Sequence, residues 1–193
     1  MMKSIKWETL FISIGLIVLA SVCYNLGLAT LFLGGKNLTA DAYSYTIMFC
    51  MPIGFIILPY IVAKKFQLLP SKSKVSIDFK ILAVLVAMLT FFDVFIFKTG
   101  ESFNQLIIST SEEFLFRYLI FNILCKDMSK WQAIIINSLL FALILHLNYS
   151  FLDNLIFRFP IAIVFSYIAQ RFGLQYSIAS HWLYNLIVIK FGI

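Results

Sequence analysis

The sequence predicts an all-α protein: a polytopic transmembrane bundle of about seven spanning helices, forming a single membrane domain over residues 1–193. Two observations carry this. Hydrophobic residues make up 62% of the chain and charged residues 12%, against ~45–50% and ~25% in soluble domains. Mean hydropathy is +0.95. A soluble fold of this length has too little interior for so much apolar side chain. The second observation is spacing. Seven apolar runs alternate with short polar breaks. A span takes ~20 residues, so seven use ~140 and leave ~50 for loops and tails. No separate soluble domain fits, and any function must sit among the helices or at their mouths.

The first run covers about residues 9–33, behind a basic stretch with Lys3 and Lys6. It has no small-x-small cleavage pattern before polar sequence. In the lipobox-like stretch Leu19 to Cys23, Val22 is too large beside the cysteine, so the run reads as a retained helix. The next runs are about 43–63, 80–97, 104–125, 131–147, 153–171 and 175–191. The breaks are Gly34-Gly35-Lys36-Asn37, the basic stretch Lys64 to Lys80, Lys98 to Glu101, Lys126 to Lys130, Asn148 to Asp153, and Phe172-Gly173. Pro52, Pro59 and Pro160 fall inside helices, where packed neighbours absorb a kink. There is no internal repeat of the kind secondary transporters carry.

The net charge of +6 would suggest nucleic acid for a soluble protein. In a membrane protein Lys and Arg mark cytoplasmic loops, so the charge reads as topology, with the lipid bilayer as partner and no nucleic acid. With the N-terminus inside, the cytoplasmic side holds ten basic residues: Lys3, Lys6, Lys64, Lys65, Lys72, Lys74, Lys80, Lys126, Lys130 and Arg171. The outer side holds four: Lys36, Lys98, Arg158 and Lys190. Arg117 lies within the fourth run. Cys23, Cys50 and Cys125 fall in three different runs without CxxC spacing, and read as inert thiols.

The fourth run carries Glu112, Glu113 and Arg117. A charge at membrane depth costs ~2.5–3.5 kcal/mol and usually marks function. Glu113 and Arg117 have the i,i+4 spacing of a helical ion pair, whereas Glu112 points elsewhere. Both histidines lie in later runs. His181 and Asn185 share a helix face with Ser177, and Ser138, Ala142 and His146 line another, where small residues let helices approach closely. At 1.5 Å per residue, Glu112 lies ~12 Å into its helix, and His181 and Asn185 lie ~9–15 Å into theirs from the opposite side. These groups converge toward mid-membrane, with His146 nearer a helix end. Asp93, alone near the end of the third run, reads as interfacial.

Glu112-Glu113-x-x-x-Arg117, then His146, then His181-x-x-x-Asn185, resembles the CPBP (Abi) family. That family contains the CAAX prenyl endopeptidases and bacterial relatives linked to bacteriocin processing and self-immunity. The resemblance covers about residues 104–189; residues 1–103 form N-terminal helices of unassigned role. One difference is visible: Ala142 stands four residues before His146, where the family commonly has Phe, and Phe141 stands five before. The resemblance implies an intramembrane glutamic endopeptidase. In it Glu112 is the general base, His146 its partner, His181 and Asn185 the oxyanion donors, and Glu113 and Arg117 the organisers of the site. No cofactor or metal is implied. The substrate would be a hydrophobic, lipid-linked or bacteriocin-like peptide, and the location a bacterial plasma membrane. The charge bias places His146 toward the outer side, whereas the family's prenyl proteases act on cytoplasmic substrates, so the face that admits substrate is left open.

The sequence has no HExxH zinc motif and no GxSxG nucleophile elbow. Two His and two Glu still compose a conceivable N/O ligand set for a divalent metal. Two non-proteolytic readings stand beside the protease: an immunity protein that binds a peptide toxin or its receptor, and a small transporter whose buried carboxylates carry protons. The oligomeric state is open.

Overall fold

The computed structural model describes residues 7–33, 40–147 and 149–192. Lys3, Lys6, the break Gly34-Gly35-Lys36-Asn37 and Asn148 lie outside the described residues. The described residues form seven helices and no strand: Trp7–Leu33, then 40–65, 79–97, 102–124, 130–145, 151–172 and 174–191. Four of them are long and apolar enough to cross a membrane: the first, second, third and sixth. The chain is thus an all-α, multi-pass membrane protein. The fourth, fifth and seventh helices are shorter or more polar; the fourth carries Glu112, Glu113 and Arg117, the seventh carries His181, and His146 directly follows the fifth.

The fourth helix is the innermost. Leu115, Phe116, Leu119, Ile120, Phe121, Ile123 and Leu124 are all buried, against Ile17 and Ala20 of the first helix, Met51 and Phe55 of the second, Ala133 and Ile134 of the fifth, and Ile178 of the seventh. This enclosure keeps the charges of Glu112, Glu113 and Arg117 away from lipid, where they would be most costly. The third helix is the opposite case. Val84, Met88, Phe91 and Phe95 are exposed along it, and an apolar face of this kind suits lipid contact. Its one buried polar group is Asp93, near the end of the helix. Thr99 folds back over Asp93 and donates to its carboxylate through N at 3.1 Å and Oγ1 at 2.8 Å, so the carboxylate closes a turn inside the protein.

Helix starts are capped by side chains. Asp78 accepts from Lys80 N and Ile81 N. Ser129 and Gln132 form a reciprocal capping box at the fifth helix, and Ser150 accepts from Asp153 N. Each satisfies amides that a helix start leaves open. The first two helices cross at Gly54, where a Cβ would lie 3.0 Å from the Ala20 carbonyl oxygen and 2.9 Å from Cys23 Cβ. Cys23, Cys50 and Cys125 form no disulfide with one another.

Five helical stretches widen to π geometry: 52–57, 93–97, 114–120, 141–145 and 154–158. Two lie directly before Pro59 and Pro160, where the wider turn moves the i−4 carbonyl off the proline ring. Two more, 114–120 and 141–145, follow Glu113 and precede His146. π turns are frequent at functional sites.

Helices alternate in direction, so the protein has two distinct ends. At one, the segment between the second and third helices lies across the bundle. Asn122 Oδ1 accepts from Lys74 N at 2.7 Å, Asn122 Nδ2 donates to Ser73 Oγ, and Gln175 Oε1 accepts from Asp78 N. Leu174 N donates to the Ser76 carbonyl at 2.8 Å, and Lys126 Nζ to the Gln67 carbonyl at 3.1 Å.

Candidate active site

Glu112 and Glu113 leave the fourth helix in different directions. Glu113 is wholly buried. One of its oxygens lies 2.9 Å from His181 Nδ1. The other lies 3.3 Å from Arg117 Nε and accepts from the Ser177 hydroxyl. Ser177 Oγ also stands 2.9 Å from the Phe165 carbonyl. The i,i+4 pair of Glu113 and Arg117 is therefore present, and Ser177 and His181 reach the same carboxylate from one face of the seventh helix. The Arg117 guanidinium is fully buried, and its nitrogens lack aligned hydrogen-bond acceptors among the described residues. It lies 4.7 Å from the centroid of the Phe141 ring and 5.9 Å from that of Phe116. The aromatic faces supply the cation's remaining stabilisation.

Glu112 turns toward a cavity of about 720 Å³, which it lines together with His146, His181, Asn185, Gln105 and Arg158. Its Oε2 is 3.8 Å from His181 Nε2, longer than a hydrogen bond. His181 thus stands between the two carboxylates, Nδ1 toward Glu113 and Nε2 toward Glu112. The sequence reading paired Glu112 with His146. The two share the cavity, but among the described residues the ion pair of Glu112 is with His181. Stacking on Phe165, at 5.0 Å between ring centroids, and an edge contact with Phe141 hold the His181 ring.

His146 follows the last helical residue of the fifth helix with non-helical backbone, φ −106° and ψ 41°. Its Nδ1 lies 2.9 Å from the Phe141 carbonyl. A carbonyl only accepts, so Nδ1 carries the proton and Nε2 of the neutral ring is left as the acceptor. Asn154 Nδ2 donates to the His146 carbonyl at 2.8 Å, and Arg158 Nη1 donates to Asn154 Oδ1 at 3.1 Å. Arg158 lies over the Tyr149 ring, 3.6 Å from its centroid. Between the fifth and sixth helices Ser138 Oγ meets Ser166 Oγ at 3.3 Å, the close approach that small residues permit.

Asn185 sits one turn beyond His181 and donates from Nδ2 to Gln105 Oε1 at 2.9 Å. An amide nitrogen carries two hydrogens, so one remains for another acceptor. Gln105, Tyr149 and Arg158 were not singled out from the sequence. Gln105 lies two turns before Glu112 on the same helix (i−7), and that spacing is the signal that could have found it. Among the described residues no three His, Cys, Asp or Glu side chains are grouped to hold a metal ion.

Chemically, the cavity brings the Glu112 carboxylate, the imidazoles of His146 and His181 and the Asn185 amide together, with Gln105, Asp153 and Arg158 also in its lining, among apolar walls that include Phe141, Phe165 and Val188. That set suffices to accept a proton and to donate hydrogen bonds to a developing negative charge. Residues 102–187 match the family model described as type II CAAX prenyl endopeptidase, Rce1-like. No curated protein and no solved structure matches the chain.

Proposed function

We propose, from the match of residues 102–187 to the Rce1-like family of type II CAAX prenyl endopeptidases, that this membrane protein is a hydrolase in which Glu112 drives hydrolysis of a peptide bond in a hydrophobic or lipid-linked peptide. The observation that carries this reading is the division of labour between adjacent carboxylates. Glu113 is buried and engaged by Arg117, Ser177 and His181. Glu112 is the one that faces the cavity.

A water held at Glu112 gives up a proton to the carboxylate as its oxygen attacks the scissile carbonyl carbon. His146 Nε2 is the acceptor that orients this water. The carbonyl oxygen becomes an oxyanion, and Asn185 Nδ2 and His181 Nε2 donate to it. In that role the His181 ring carries a proton on each nitrogen, with a carboxylate facing each. The proton held by Glu112 then passes to the amine as the C–N bond breaks, and the carboxylate is restored. Glu113, Arg117 and Ser177 fix His181 so that the donor is aimed before substrate arrives, which is how such donors are most effective. None of these steps requires a metal, so activity is expected to survive strong chelation followed by dialysis.

Glu112→Gln tests the reading. The amide is nearly isosteric but does not accept the water's proton. Thermal stability in detergent stays near that of the native protein, while cleavage is lost. Membrane-peptide profiles of cells carrying either form identify the substrate. Cleavage by folded Glu112→Gln at near the native rate overturns the assignment.

A further inference from the structure

We infer that Arg158 selects among substrates: it takes up a carboxylate of the bound peptide close to the scissile bond, so that the cavity favours peptides with an acidic group there over neutral ones. The inference rests on the reading of the cavity as a peptidase site, and adds the group that chooses between peptides.

Arg158 stands where a cation is costly. It lies seven residues into the apolar span Phe151–Phe172, about 10 Å along the helix axis, and a charge at such a depth usually marks function. It is half-buried, and it lines the cavity together with Glu112, His146, His181 and Asn185.

The guanidinium is held but not neutralised. Its Cζ lies 3.6 Å from the centroid of the Tyr149 ring, and Nη1 donates to Asn154 Oδ1 at 3.1 Å. Asn154 is itself fixed, since it is buried and its Nδ2 donates to the His146 carbonyl. Both partners of Arg158 are neutral. Of the two acids that line the cavity, Glu112 has its ion pair with His181, and Asp153 is exposed. Among the described residues no carboxylate pairs with Arg158. A guanidinium offers five N–H donors in a rigid fork. The Asn154 bond uses one of them. The open edge of the fork matches a planar carboxylate, which it binds through two parallel hydrogen bonds. In an unmodified peptide the anionic groups are carboxylates, at the chain end or on Asp and Glu side chains.

The same contacts set how far this anion lies from the reaction. The Tyr149 ring centroid is 6.1 Å from that of His146, so the guanidinium carbon stands within about 10 Å of the imidazole that orients the water. An extended chain covers ~3.3–3.6 Å per residue, which puts the carboxylate within about three residues of the scissile bond. Phe157, Ile161 and Val188 supply apolar walls for the rest of the segment.

The test captures peptides on the full-length protein in detergent, in the Glu112→Gln form so that they stay whole. Three pools of apolar hexapeptides, randomised over Leu, Ile, Val and Phe, are offered: one with free C-terminal carboxylates, one amidated, and one amidated with a single Asp at the last position. Mass spectrometry reads the amounts retained. At least one of the two carboxylate pools is expected to be retained about 10–100-fold more than the amides, the range for hydrogen bonds to a charged group. Retention of the free acids, of the Asp pool or of both identifies the chain end, a side chain or either as the source. In Glu112→Gln/Arg158→Gln the carboxylate pools should fall to the level of the amides. The amides should keep their level, which reports an undisturbed cavity. Arg158→Lys keeps the charge without the fork and should keep part of the preference. Equal retention of all three pools by Glu112→Gln, or a preference that survives Arg158→Gln, overturns the inference. The comparison of pools on Glu112→Gln uses one protein, so it decides even where Arg158→Gln folds poorly. Cleavage of the same pools by the native protein separates the two readings. Glu112-dependent cleavage with equal retention of all pools removes this inference alone, whereas Arg158-dependent capture without Glu112-dependent cleavage removes the peptidase reading alone.

Discussion

Phe141 and His146 stand five residues apart and share one turn: their ring centroids are 4.9 Å apart, and His146 Nδ1 lies 2.9 Å from the Phe141 carbonyl. In an α-helix the neighbour of His146 would be residue 142, an alanine. The π turn over 141–145 moves the neighbour back by one, so the Phe that the sequence holds five residues away packs where a four-residue spacing would have put it. The same ring lies against Arg117 and meets the edges of Phe116 and His181.

Phe141 therefore couples both histidines to the buried cation. Phe141→Leu keeps most of the volume and loses the ring. It is expected to lower kcat by about 10–100-fold, since misplacement of a reacting group by about 1 Å costs on that order, with a smaller effect on the melting temperature. Moving the ring with Phe141→Ala/Ala142→Phe is not expected to restore activity, because residue 142 lies a turn position away from His146. Turnover measured on the purified variants decides this; full activity in the double variant would mean that the π turn is not needed.

Arg117 and Glu113 are buried together. Removing one member of such a pair leaves a charge without a partner, at a cost of about 3–5 kcal/mol. Arg117→Ala is expected to reduce the yield of folded protein and to lower its melting temperature markedly. Glu113→Gln/Arg117→Met removes both charges and should recover a large part of that stability without recovering activity, because His181 has lost the carboxylate that aims it. Melting curves and turnover of the three forms test this. Native-like activity in the double variant would show that the pair serves folding alone.

The helices were legible in the sequence because every break carries a Gly, Pro, Lys or Asp cluster that hydrocarbon excludes, and the seven helices end within about three residues of the apolar runs. The Glu113–Arg117 pair and the shared face of Ser177 and His181 were legible too, since both depend only on the α-helical period. The π turns were not, because hydropathy is blind to one residue of extra winding; only Pro59, Pro160 and the five-residue Phe141–His146 spacing betray them. Contacts between distant residues were equally hidden. Asp93 is buried because Thr99 returns to it, and the basic segment 66–78 becomes a lid because Asn122 and Gln175 hold it. No periodicity in either partner announces these.

That lid depends on Gly173. Its φ of 111° is open to glycine and strained for other residues, and a Cβ there would stand 2.7 Å from the Gln175 side-chain amide, the group that accepts from Asp78 N. Gly173→Ala is expected to cost about 1–3 kcal/mol from backbone strain and to displace Gln175. Trypsin should then cut faster at Lys72 and Lys74. In a Gln175→Ala background the collision is gone and only the strain remains, so the same substitution should lower the melting temperature by less. Equal losses in the two backgrounds would show that Gln175 is not what the new methyl meets.

Asn185 and Gln105 join the seventh helix to the fourth within the cavity. The Asn185 Nδ2 to Gln105 Oε1 bond at 2.9 Å ties the Asn185 amide to the fourth helix and leaves its second N–H for another acceptor. If Asn185 donates to the oxyanion, Asn185→Ala should lower kcat by about 10²–10³-fold with little change in KM. Gln105 touches no reacting atom in this scheme and acts through Asn185. Gln105→Leu should lower kcat by about 10-fold, a fraction of the loss of a whole oxyanion donor. Gln105→Glu keeps an acceptor in place and should retain more activity than Gln105→Leu. In the Asn185→Ala background, Gln105→Leu should have almost no further effect on kcat, as expected when one residue works through the other. Four turnover numbers, from the native protein, the two single variants and the double, are enough. If the two losses multiply in the double variant, Gln105 has its own role in the cavity and does not serve to orient Asn185.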